Sequence, residues 1–184
     1  MKLKLVILGL IYLLGVVYLS LPTPSTPDLS LAVRSDEAGD TWQHPDQKGF
    51  YTDMTRQQVI GEMQSKFVTS ISGISIPSYR LNYRPEESFQ FVRDQVYSNY
   101  LEEIVYPLKD SLFVNGFEPI NLPANRHIDP KDIRGVSFKG QYYLSKVTLR
   151  PVTSSVYARI LIWTLIFPAT FFVIKSLKKS LKDA

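Results

Sequence analysis

The chain has 184 residues, no cysteine and a formal net charge of +4. The absence of cysteine excludes disulfide-stapled folds, cysteine nucleophiles and thiolate metal sites. Six of the 21 basic residues and one of the 17 acidic residues lie in the two tails, which leaves 15 basic and 16 acidic residues and a net charge of −1 in the middle. This distribution argues against nucleic acid as a partner.

The first predicted element is an apolar segment at the amino terminus. Leu5 to Leu21 is a run of 17 residues without a charge, and Lys2 and Lys4 precede it. A membrane span needs roughly 17 to 25 apolar residues, whereas a secretory signal has a shorter apolar stretch that ends in small residues. The end of the run, "VYLSLPTPSTP", lacks the pair of small residues at which a signal peptide is cleaved. Residues 1–21 are therefore predicted to be a retained transmembrane anchor, with a cleaved signal as the alternative.

A Pro/Ser/Thr-rich stretch follows, and residues 22–41 are predicted to form an extended spacer. Residues 42–155 form the predicted domain, beginning with a short strand at Gly49 to Thr52. Thr55 with Gln58 three residues later fits a capping box and predicts the start of a helix. The buried face of that helix is predicted from apolar residues at helical spacing, namely Val59, Ile60, Met63 and Phe67.

The middle of the domain is predicted to be mostly helical after a short β-like stretch containing Ile74 and Ile76. Pro85 suits the first position of a helix that runs to Tyr106, and "LKDSLFV" predicts a further helical stretch after Pro107. The buried stripe of the long helix is predicted from spacings of three and four residues, at Phe89, Val92, Val96, Tyr100 and Ile104.

The end of the domain is predicted to be a loop followed by strands in "VSFKGQYYLSKVTLRPV", where Tyr143, Val147 and Leu149 alternate with polar residues. The order of elements predicts an α+β fold, with two or three helices on a short sheet, flanked by an N-terminal and a C-terminal transmembrane helix.

Residues 156–175 are predicted to be that C-terminal transmembrane helix, and residues 176–184 a basic cytoplasmic tail. Arg159 and Trp163 are predicted to lie near the headgroups at one end of the helix, and Pro168 to kink it. Lysines follow the apolar run directly, at Lys175, Lys178, Lys179 and Lys182. A buried core helix is the alternative that the length of the run leaves open.

The lysines also predict the orientation of the chain. Basic residues flank the cytoplasmic ends of membrane spans, and here they accumulate before the first span and after the second. Both termini are therefore predicted to be cytoplasmic, with residues 22–155 outside the plasma membrane. The terminal lysines are expected to contact anionic lipid headgroups, which makes the lipid bilayer a predicted partner.

No catalytic, metal or cofactor site is predicted. His44 and His127 each precede an aspartate by two residues, in "HPD" and "HID", but neither segment has the helical spacing that holds two metal ligands together. No G-x-S-x-G or glycine-rich phosphate motif occurs, and the paired glutamates at 86–87 and 102–103 are expected to be solvated residues of a helix.

The sequence favours a protein that works by interaction. Trp42 lies in a loop-like context and is a candidate contact for a partner, together with His44 and His127. We predict a non-enzymatic interaction or scaffold subunit of a cell-envelope assembly, which binds another membrane or envelope protein or a second copy of itself. A ligand-binding or sensing module that relays to a membrane partner is the alternative, and an envelope hydrolase is a further one.

Overall fold

The computed structural model describes residues 2–84, 98, 100–117 and 135–183, with the backbone alone for residues 2, 5, 182 and 183. This part of the chain contains three α-helices: α1 at Lys2–Ser20, α2 at Arg56–Lys66 and α3 at Val156–Asp183. The chain divides into two compact units. Residues 1–23 and 153–184 form one unit, and residues 24–152 form the other.

The larger unit is an α+β domain, as predicted. Its described residues form ten strands: β1 Ala32–Arg34, β2 Lys48–Thr52, β3 Ser70–Ile71, β4 Ile74–Ser75, β5 Tyr79–Tyr83, β6 Tyr100–Val105, β7 Ser111–Gly116, β8 Val136–Phe138, β9 Gln141–Tyr143 and β10 Ser145–Val152. Six of them form one antiparallel sheet in the order β1-β2-β10-β7-β6-β5. The other four form two separate hairpins, β3-β4 and β8-β9.

Helix α2 packs on one face of the six-stranded sheet. Thr55 caps this helix, since its hydroxyl accepts from the Gln58 amide and the Gln58 side chain accepts from the Thr55 amide. The predicted capping box and the predicted strand at Gly49 to Thr52 are therefore confirmed. The predicted buried residues of α2 meet apolar residues of the sheet in a single core, made of Leu29, Phe50, Val59, Ile60, Met63, Phe67, Tyr100, Ile104, Tyr106, Leu112, Val114, Val147 and Leu149.

The predicted long helix is wrong over the part that the structure describes. Residues 100–105, which the prediction placed in its second half, form strand β6. Residues 85–97, where the helix was predicted to begin, lie outside the described residues. The further helix predicted at "LKDSLFV" is also wrong, because the first residues of this segment form a turn that leads directly into β7. In this turn the Tyr106 amide donates to the Asp110 carbonyl and the Lys109 amide donates to the Tyr106 carbonyl. Leu108 occupies the left-handed region in this turn, at φ 58°.

The predicted spacer is shorter than expected. Leu29 is buried in the domain core, and Ala32–Arg34 forms the edge strand β1. The side chain of Lys48 donates to the Thr26 carbonyl and to the Asp28 carboxylate, at 2.7 Å each. Most of residues 22–41 therefore belong to the folded domain.

The smaller unit consists of α1 and α3 with the residues next to them. Helix α3 begins at the predicted residue, Val156, but continues to Asp183, so most of the predicted basic tail is helical. Pro168 lies inside this helix, as predicted.

Candidate functional site

The two terminal helices contact each other through a tryptophan that fits against a glycine. The indole of Trp163 in α3 lies so close to Gly15 in α1 that a Cβ atom added there would be 2.4 Å from the ring. The indole N–H donates to the main-chain carbonyl of Tyr12 at 3.2 Å, and the Tyr12 and Thr164 hydroxyls hydrogen-bond at 2.9 Å. Interhelical hydrogen bonds and small residues that permit close approach are the contacts by which helices associate in membranes.

Tilted and edge-to-face aromatic contacts extend this interaction. The ring of Phe167 lies 5.5 Å from that of Tyr12 and 5.7 Å from that of Trp163, both between centroids. Sequence reasoning placed Trp163 near the lipid headgroups and gave it no protein contact. In the structure the ring packs against α1, a contact that the glycine on the other apolar segment could have indicated. The position of Trp163 near the headgroups stays a prediction.

Arg159 joins the segments that follow α1 and precede α3. Its guanidinium donates to the hydroxyl and the carbonyl of Ser154, at 2.8 and 2.6 Å, and approaches the Thr23 hydroxyl at 3.5 Å. Arg159 is only 4% exposed. Within the unit this side chain contacts Ser154 and Thr23, and its predicted reach towards the headgroups stays a prediction.

One described helix is long and apolar enough to cross a membrane. Residues 156–181 of α3 meet that requirement by length and composition, whereas the apolar part of α1 with described side chains, residues 6–20, is shorter. The lysines of α3 predicted to adjoin the membrane, Lys175, Lys178 and Lys179, are all exposed, and so is Lys4 before α1; Leu21 is half-buried. Lys2 and Leu5 have no described side chains.

Two of the three predicted interaction residues lie in the described part of the chain, and both are in one loop. Trp42 is 75% exposed in the loop after the 3₁₀ turn Ala38–Asp40, and His44 is exposed in the same loop. His127 lies outside the described residues. Within the described part of the chain, no three His, Asp or Glu side chains converge as metal ligands.

The domain contains a cluster around a half-buried lysine that sequence reasoning missed. Lys146 of β10 forms ion pairs with Glu37 and, at 2.8 Å, with Asp40, and its Nζ atom lies 5.5 Å from the ring centroid of Tyr51. Gln47 donates to the other oxygen of Asp40 at 3.1 Å. Asp40 occupies the space over Gly49, where a Cβ atom would lie 2.3 Å from the carboxyl carbon. Any larger residue at position 49 would collide with this carboxylate.

The electrostatics of the cluster favour a charged lysine and a neutral tyrosine. Burial opposes the charge of Lys146, but hydrogen bonds to Asp40 and Glu37 outweigh it and raise the pKa of the lysine. Burial, with the nearby Glu37, raises the pKa of Tyr51 to about 12. Burial also opposes ionisation of Asp40, yet hydrogen bonds from Lys146, Ser35 and Gln47 keep its pKa below the usual value. A lysine held in its charged form has no free electron pair, so this cluster suits structure rather than nucleophilic chemistry.

A second buried carboxylate, Glu102 of β6, lies beneath two arginines. Glu102 is fully buried, and the Arg80 guanidinium donates to both of its oxygens, with 2.6 Å between Nη2 and Oε1. Arg56 donates from Nε to the same Oε1 at 2.5 Å and from Nη2 to Asn82 at 2.7 Å. The hydrogen bonds that Arg80 donates to Glu102 raise the pKa of Arg80. The predicted solvated glutamate on a helix is therefore a buried strand residue.

No family model, curated protein or solved structure matches the chain.

Proposed function

We propose that the chain is a membrane protein anchored at both ends, whose domain outside the plasma membrane acts as a non-enzymatic interaction or scaffold subunit of a cell-envelope assembly. The observation that carries this proposal is the contact between α1 and α3. A glycine that accommodates a tryptophan, together with two interhelical hydrogen bonds, gives the first helix a specific partner within the chain. A helix that only directs export needs no such contact.

The lysines support the orientation in which both termini are cytoplasmic. Lys4 is exposed before the apolar part of α1, and Lys175, Lys178 and Lys179 are exposed after the apolar part of α3. Basic residues near span ends favour the cytoplasmic side. Two antiparallel anchors with basic outer ends would hold the intervening domain at the opposite surface and restrict its orientation.

The chain offers a clean test of this topology because it has no cysteine. We would introduce single cysteines in place of Gln43 and Ser180, and a third by insertion after Met1, and label each with a membrane-impermeant maleimide before and after permeabilisation of cells. The proposal requires that the cysteine at position 43 reacts in intact cells, and that the other two react only after permeabilisation. Labelling of positions 43 and 180 from the same side would overturn it.

The test of the scaffold role uses Trp42, which is exposed in a loop of the domain. Chain purified in mild detergent from its source membranes should retain a protein partner in a fixed ratio, and Trp42→Ala should reduce that ratio. Leu31→Ala is the matched control, since Leu31 is 89% exposed elsewhere on the same domain. Purification of the chain without a partner, or equal retention by both variants, would contradict this role for Trp42.

A further inference from the structure

We propose that Arg56 and Arg80 form a binding site for an oxyanion, that is, a phosphate or carboxylate group of a ligand. The inference goes beyond the proposed function and does not depend on it. It rests on the number of positive groups around Glu102, which exceeds what this carboxylate requires.

Arg80 alone satisfies the Glu102 carboxylate. Its Nε and Nη2 atoms donate to separate oxygens of Glu102, which is the bidentate arrangement that pairs one guanidinium with one carboxylate. The charge of Glu102 is neutralised by this pair. Arg56 therefore adds a positive charge that the buried glutamate does not balance.

The position of Arg56 increases this excess. Arg56 is the first residue of α2, where the partial positive charge of the helix dipole favours anions and disfavours a cation. Asp53, the closest acidic residue before it in the sequence, accepts a hydrogen bond from the Leu144 amide at 2.9 Å. Among the described residues, the two guanidiniums thus contact a single carboxylate, that of Glu102.

The guanidiniums are held in place and remain accessible. The contacts among the described residues use Nε and Nη2 of both arginines, which leaves the Nη1 donors of each. Arg56 also lies over the ring of Tyr100, 5.0 Å from its centroid. The side chains of Arg56 and Arg80 are 25% and 41% exposed, so a ligand can reach them from solvent. Because Glu102 fixes both groups, little side-chain entropy is lost when an anion binds.

The test is calorimetric titration of the full-length chain in non-ionic detergent with sodium phosphate and with sodium acetate, at constant ionic strength set by sodium chloride. Saturable binding of either anion is expected. Preference for phosphate would assign the site to a phosphate-bearing ligand, and preference for acetate to a carboxylate-bearing one. Heat signals that do not saturate with either anion would overturn the proposal.

Arg80→Gln and Arg56→Gln are two independent variants, and each should weaken binding by about tenfold or more, the effect of losing a charge-assisted hydrogen bond. Arg34→Gln is the matched control. Arg34 is also an exposed arginine on an edge strand, and it pairs with a single carboxylate, Asp28, at 3.3 Å. Circular dichroism verifies the fold of each variant. Binding by Arg80→Gln or Arg56→Gln that equals binding by Arg34→Gln would refute the site.

Discussion

Replacement of Gly15 by alanine should weaken the association of α1 with α3. The added Cβ atom would lie 2.4 to 2.6 Å from three atoms of the Trp163 ring, so the ring must move or the helices must separate. Overpacking of this kind costs about 1–3 kcal/mol, and movement of the indole also breaks its hydrogen bond to Tyr12, worth about 0.6 kcal/mol between membrane helices. We therefore expect the helix pair to lose about 2–4 kcal/mol of stability relative to a glycine-to-alanine change that causes no clash.

Gly9→Ala is the matched control, because nothing lies within 4 Å of the position of its added Cβ atom. Both substitutions gain the same intrinsic helix propensity, about 1 kcal/mol, so the difference between them isolates the contact with Trp163. In a Trp42→Phe background Trp163 is the single tryptophan, and its emission during denaturation in micelles follows the helix pair. Equal free energies of unfolding and equal emission for the two variants would refute the reasoning.

Three further predictions concern the domain. The pKa of Tyr51 is raised to about 12 from an ordinary value of 10.0, so the folded state holds the tyrosine proton more tightly than the unfolded state and stability should fall as pH rises from 10 to 12. Chemical denaturation at several pH values measures this fall. A Tyr51→Phe variant that loses the same amount of stability would contradict the prediction. Lys146→Met should cost about 3 kcal/mol of stability, because Asp40 then stays buried without its cation. Adding Asp40→Asn to this variant should recover part of the loss. Thermal unfolding that shows no recovery would argue against the ion pair as the cause. Thr55→Ala should cost about 1 kcal/mol through loss of the cap of α2, measured by urea denaturation, whereas an unchanged midpoint would mean that the cap contributes nothing.

The sequence predicts α2 well and β6 badly, and the reason is local. Helix α2 has one buried face and a capping box, and both signals lie within its own residues. Strand β6 is buried on both faces over Tyr100 to Glu102, so its burial does not alternate. Tyr100 and Ile104 are four residues apart and both enter the core, which matches helical and strand spacing alike.

The buried ion pairs could not be predicted from the sequence for a related reason. Glu102 accepts hydrogen bonds from arginines 22 and 46 residues before it in the chain, and the ion pair of Lys146 with Glu37 spans 109 residues. Pairing over such distances is fixed by strand order, which the predicted helix at residues 85–106 obscured. The loop position of Trp42, by contrast, was indicated by its polar neighbours in "DTWQHPDQ".

Strand β10 is the last strand of the domain in the chain, yet it lies inside the sheet, between β2 and β7. Before β10 joins the sheet, no hydrogen bonds connect the pair β1-β2 with the group β5-β6-β7. The core also lacks Val147 and Leu149 at that stage. The ribosome must therefore synthesise the chain through Val152, four residues before α3 begins, before the domain can close. Completion of the domain and synthesis of α3 are consequently nearly simultaneous events. A chain truncated before β10 would expose two unpaired strand edges, those of β2 and β7.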